Sequence, residues 1–124
     1  MGENKEYLSH PDEKGSINIS DEVVAAIAAD AAREGEGVAG FPASIGQDIA
    51  EILGRRSLSR GVKLLAEDDG LTIDVCINVE YGVSVNDVAK AVQTGVSTAV
   101  ESTTGFSVKT VNIHVCGIAL ESKI

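Results

Sequence analysis

A chain of 124 residues with 44% apolar content is the length of one domain with a modest core, and two Phe, two Tyr and no Trp leave that core to aliphatic side chains. A formal net charge of −9 excludes general phosphate-backbone binding, so DNA is not expected as a partner and RNA is disfavoured. The N-terminal "MGENKEYLSHPDEKG" lacks the apolar stretch of a secretory signal and no later run reaches the length of a membrane span, so the expected place is the cytoplasm, where Cys76 and Cys116 stay reduced.

Residues 1–14 are polar, contain Pro11, and are expected to form a flexible lead-in to a single domain over residues 15–120, with 121–124 a C-terminal tail. "GSINIS" alternates Ile17 and Ile19 with polar residues as a half-buried strand does. Ser20 then caps a helix over "DEVVAAIAADAARE", with Asp21 and Glu22 placed against the positive end of its dipole and Gly35 and Gly37 beyond its end. Ser44 and Gln47 have capping-box spacing before "IGQDIAEIL", whose Ile45, Ile49, Ile52 and Leu53 make one apolar stripe, so a second, shorter helix is expected.

A basic loop follows and runs into the strand "GVKLLAE", which "EDDG" turns back into "LTIDVCINVEYG" as a hairpin. In that second strand Leu71, Ile73, Val75, Ile77 and Val79 face the core, and Thr72, Asp74, Cys76, Asn78 and Glu80 face away from it. Ser84 caps a long helix to about Thr103, ended by Gly105, and the last strand sets Val111, Ile113 and Val115 inward and Asn112, His114 and Cys116 outward. The expected fold is α+β, order β-α-α-β-β-α-β, with one small sheet and its helices on the apolar face. The terminal strand–helix–strand unit favours a right-handed crossover if its two strands share the sheet.

Catalytic chemistry finds little support in these residues. A serine nucleophile needs a base held in place, and the two histidines are His10, in the lead-in, and His114, with no G-x-S-x-G elbow before any serine. Asp68 and Asp69 are neighbours in a turn, which gives solvated charges instead of a buried pair with separated pKa values. Cys76, His114 and Cys116, with Asp74 nearby, are candidate zinc ligands if their strands are neighbours, but they lack a spacing signature and read more simply as decoration of a strand face. "GEGVAG" lacks the Lys of a phosphate-binding loop, and "GRRS" matches the nucleic-acid clamp of a KH domain only in part, since Ser57 stands at the second glycine. Neither a metal nor any other cofactor is expected, and no enzyme activity.

The charge distribution is the feature that needs a cause. "GRRSLSRGVK", residues 54–63, gathers Arg55, Arg56, Arg60 and Lys63, leaving six cations against nineteen carboxylates elsewhere. Such a cluster steers association with an acidic surface in a way that salt weakens. The chain supplies such surfaces itself: Asp21, Glu22, Asp30, Glu34 and Glu36 along the first helix and its end, and Glu67, Asp68 and Asp69 in the hairpin turn. The basic loop of one copy meeting the acidic patch of the next is a heterologous contact, which builds rings or filaments. An anionic partner protein or lipid headgroup is the competing ligand.

Several stretches taken in order, "GSINISDEVVAAIAADAAREGEGVAG", "ILGRRSLSRGVKLL", "IDVCINVEYGVSVNDVAKAVQTGVSTAVESTTG" and "VKTVNIHVCGI", resemble the alkaline shock proteins, the Gls-type envelope stress response proteins of Gram-positive bacteria. The resemblance covers roughly Gly15 to Ile118. It implies a non-enzymatic cytoplasmic structural or adaptor protein that self-associates, gathers at the inner membrane face through a small membrane-embedded anchor protein, and supports cell-envelope homeostasis. Some branches of the family suggest instead a regulatory protein acting on a cytoplasmic enzyme, possibly in fatty-acid synthesis. Cys76 and Cys116 depart from the family pattern, as do Gly95, Ser97 and Thr98 on the outer face of the long helix.

Overall fold

A computed structural model describes residues 7–41 and 61–120. The expected helix around Ile45–Leu53, the cations Arg55, Arg56 and Arg60, and the tail 121–124 lie outside the described residues. Eight elements follow in order: β1 (Tyr7–Asp12), β2 (Gly15–Ser20), α1 (Asp21–Arg33), β3 (Val38–Gly40), β4 (Val62–Glu67), β5 (Gly70–Glu80), α2 (Val85–Thr104) and β6 (Val108–Ala119).

The helices form where the capping chemistry places them. The Ser20 hydroxyl accepts the Val23 N–H at 3.3 Å and the Ser84 hydroxyl accepts the Asp87 N–H at 3.4 Å, each satisfying one orphan donor of a first turn. Gly105, at φ +83°, closes α2 in the left-handed conformation, and its N–H bonds the Glu101 carbonyl at 2.9 Å. Val88, Val92, Val96 and Val100 recur every fourth residue and are buried, while α1 buries Val24, Ala25, Ala28, Ala29 and Ala32. The small alanines let α1 lie close against α2, and the pair covers one face of the sheet.

Strand β5 is the centre of that sheet. Leu71, Ile73, Val75, Ile77 and Val79 are all buried, as the alternation requires. Along one edge β4 pairs antiparallel over Val62–Glu67, and β3 continues the same edge with Val38 opposite Val79. Along the other, β6 pairs parallel to β5 from Leu71↔Val108 to Glu80↔Ala119. The β5–α2–β6 unit therefore returns to the same sheet, and the two-layer α+β architecture stands.

The structure adds to the expected order and corrects it. Tyr7–Asp12, within the segment expected to be flexible, pairs antiparallel with β2 in a separate two-stranded sheet, so the strands do not form a single sheet. Pro11 misled: on an edge strand its missing N–H costs no ladder bond. The short β3 follows α1, where only a connector was expected. Val115, expected inward, is 39% exposed. Cys76, assigned to the polar face, is fully buried near Gly61.

Candidate functional site

Two surfaces and one strand edge gather the chemistry of the described residues. On α1, Asp21 and Glu22 occupy the first turn, and Asp30 and Glu34 lie one helical turn apart. Asp30 accepts a hydrogen bond from the Arg33 guanidinium at 2.7 Å, which offsets part of the local negative charge. Asp30 and Glu34 rim a groove of about 440 Å³ between the helices, floored by Val23, Ile27, Ala31 and Ala99. Glu36 is exposed just beyond the helix.

The hairpin turn forms a second acidic surface. Glu67, Asp68 and Asp69 wall a depression of about 520 Å³ with Phe106 and Ser107. Lys109 on β6 reaches this turn, bonding Glu67 and lying 3.3 Å from Asp69. The Glu67 carboxylate, and after it that of Asp69, raises the Lys109 pKa above its ordinary value. Two of the three turn carboxylates thus share an internal cation, as Asp30 on the α1 rim has Arg33. Sequence reading missed Lys109 because nothing local reveals that β6 runs parallel beside β5.

Lys63, the described member of the basic stretch, lies in β4 opposite Asp74 of β5, so it belongs to the sheet and not to the loop. Asp74 accepts the Asn112 side-chain amide at 2.9 Å and lies 3.4 Å from His114 Nε2. The Cys116 thiol donates to the His114 carbonyl at 3.5 Å. Burial, then the neighbouring Cys116 thiol, push the Cys76 pKa from 9.0 up to about 12. The four residues considered as ligands are therefore neighbours across β5 and β6. Among the described residues no group of three His, Cys, Asp or Glu side chains could hold a metal ion.

The outer edge of β6 is the third feature. Leu71 N–H bonds Ser107 O at 2.9 Å and Tyr81 N–H bonds Ala119 O at 3.3 Å, so odd-numbered residues of β5 point their backbone groups at β6. Their register partners Val108, Val111, Ile113, Val115 and Ile118 consequently turn theirs away from β5. Side chains of α2 reach two of these groups: the Glu101 carboxylate accepts the Val108 N–H at 2.8 Å, and the Gln93 amide donates to the Val111 carbonyl at 2.9 Å. Such long-range contacts leave no periodic trace in a sequence.

No described helix is long and apolar enough to cross a membrane. No solved structure matches the chain significantly. Among curated proteins, it is 37% identical over 109 residues to the uncharacterized protein YqhY of Bacillus subtilis, covering 88% of this chain and 81% of that one. It is 40% identical over 106 residues to YloU of the same organism, covering 84% and 88%. To the uncharacterized protein Spy1614 of Streptococcus pyogenes it is 31% identical over 106 residues, covering 84% and 88%. A family model described by a cell envelope-related function matches residues 9–120, and on that match the chain belongs to the alkaline shock protein 23 family.

Proposed function

We propose that the chain is a non-enzymatic structural or adaptor module of the cell envelope, self-associating through its basic stretch and held at the inner membrane face by a small membrane-embedded partner. The observation that carries this reading is charge polarity: four cations within ten residues of a chain whose net charge is −9. The α1 rim of Asp30 and Glu34, with an apolar floor between them and α2, is the complementary surface. Contacts of this type are steered by long-range attraction and screened within about 10 Å at 0.1 M salt. The envelope-related description of the family supplies the cellular setting.

The test is the solution mass of the full chain by light scattering as salt is raised, beside the double variant Arg55→Glu with Arg56→Glu. Large species that shrink with salt, and that the variant fails to form, are expected. Assembly unchanged by the double charge reversal would remove the basic stretch from the mechanism. A salt-indifferent monomer that captures one soluble enzyme would favour the regulatory reading instead.

A further inference from the structure

Cys76 and Cys116 are far apart in sequence and take no part in the charge contacts, yet the fold brings them together. Cys76 is the register partner of His114 in the parallel β5–β6 pair, and Cys116 follows His114 on the same face of β6. The register then jumps from Ile77↔Val115 to Asn78↔Gly117, which makes Cys116 the extra residue of a bulge. Just past it the strands are held close, since a Cβ on Gly117 would lie 2.8 Å from Asn78 Oδ1. The Cys116 thiol is anchored on its own strand by its bond to the His114 carbonyl, and it is the hydrogen-bond neighbour of the Cys76 thiol.

The two sulfurs differ in access: Cys76 is fully buried and Cys116 is partly exposed. An accessible thiol beside an inaccessible one is the arrangement of a reacting and a resolving cysteine. We infer that Cys76 and Cys116 are a redox pair, which hydrogen peroxide converts to an intrachain disulfide joining β5 to β6 at the bulge. Burial, which holds the Cys76 thiol protonated, excludes it from the first step.

Cys116 attacks one peroxide oxygen as its thiolate. The O–O bond breaks, the sulfur becomes a sulfenic acid, and the departing hydroxide takes up the proton that the thiol released. The Cys76 sulfur then attacks the Cys116 sulfur, the S–O bond breaks, and the displaced hydroxide leaves as water with the Cys76 proton. Two thiols and one peroxide thus give one disulfide and two waters, the two sulfurs losing the electron pair that the O–O bond gains. In a reducing compartment such a pair stays reduced until an oxidant reaches it, and other thiols reverse the bond. The link ties β6, the last described strand, to the central strand β5. It uses neither the basic stretch nor the α1 rim, so it stands or falls apart from the charge contact.

The test is to treat the fully reduced chain with hydrogen peroxide at low protein concentration, quench, and map its peptides by mass spectrometry without reductant. Expected are loss of both thiols, a single covalent chain lighter by two hydrogens, a peptide joining Cys76 to Cys116, and return of both thiols with dithiothreitol. Cys116→Ser should slow oxidation of Cys76 at least tenfold, because the buried sulfur loses its exposed partner. In Cys76→Ala, Cys116 should stop at the sulfenic acid and be trapped by dimedone; should that variant fail to fold, the wild type and Cys116→Ser decide. Oxygen added to Cys116 while Cys76 remains a free thiol, cross-links only between chains, or a Cys116→Ser chain whose Cys76 oxidises as fast as the wild type would overturn the inference.

Discussion

Gly37 offers a quantitative check on how α1 is joined to the sheet. Its φ is +90°, and a Cβ added there would lie 2.6 Å from Val88 Cγ2, inside the first turn of α2. The Gly37 carbonyl also accepts the Glu80 N–H at 2.9 Å, so the residue cannot swing away without breaking a tie to β5. Gly37→Ala therefore incurs a left-handed backbone cost of about 1–2 kcal/mol. The collision with Val88 adds about 1–3 kcal/mol of overpacking. The sum, about 2–5 kcal/mol, is a large share of a typical folding stability and corresponds to a fall in Tm on the order of 10 °C. Urea unfolding at equilibrium reads the change directly. Val88→Ala in the same chain should recover the steric part and leave the backbone part, a coupling that a double-mutant cycle isolates. A Gly37→Ala chain within about 0.5 kcal/mol of the wild type would refute the packing described for this junction.

Gly95 is the counterexample within α2. A Cβ there meets nothing within 4 Å, so Gly95→Ala should stabilise the chain by roughly 0.5–1 kcal/mol through helix propensity alone, read by the same unfolding assay. The buried Cys76 thiol makes stability depend on alkaline pH. Its folded pKa of about 12 exceeds the ordinary 9.0, so between these values the native state keeps a proton that the unfolded state has released. Stability is then fully present below pH 9.0 and falls as pH rises toward 12. Cys76→Ala should flatten this part of the pH profile in thermal melts, and an unchanged slope would assign it elsewhere.

The helices were legible because their signals are local: Ser20 and Ser84 as caps, Gly105 as terminator, and valines at every fourth position of α2. The core face of β5 was equally plain, since a central strand buried on that face must alternate. What the sequence hid was pairing. Nothing near Tyr7–Asp12 shows that this polar segment finds β2 as its partner, and a three-residue strand such as β3 is too short to have a period. The acidic residues Asp21, Glu22, Asp30 and Glu34 fall on α1 and its C-cap because the helix itself has local signals. The partial neutralisation of the hairpin turn escaped notice because Lys109 arrives from a strand 40 residues downstream of Asp69.

The central claim is that the basic stretch of one copy meets the α1 rim of another, and a charge swap tests it most directly. One chain carries Arg55→Glu with Arg56→Glu; a second carries Asp30→Lys with Glu34→Lys. Alone, the first loses the net positive charge of its stretch, since the two introduced glutamates would balance Arg60 and Lys63, and the second sets a basic rim against the basic stretch, so each should remain small at low salt by light scattering. Mixed in equal amounts, they restore opposite charges at every contact, and large species should return and dissolve again as salt rises. A mixture that stays as small as its components, or single variants that assemble as well as the wild type, would contradict the account.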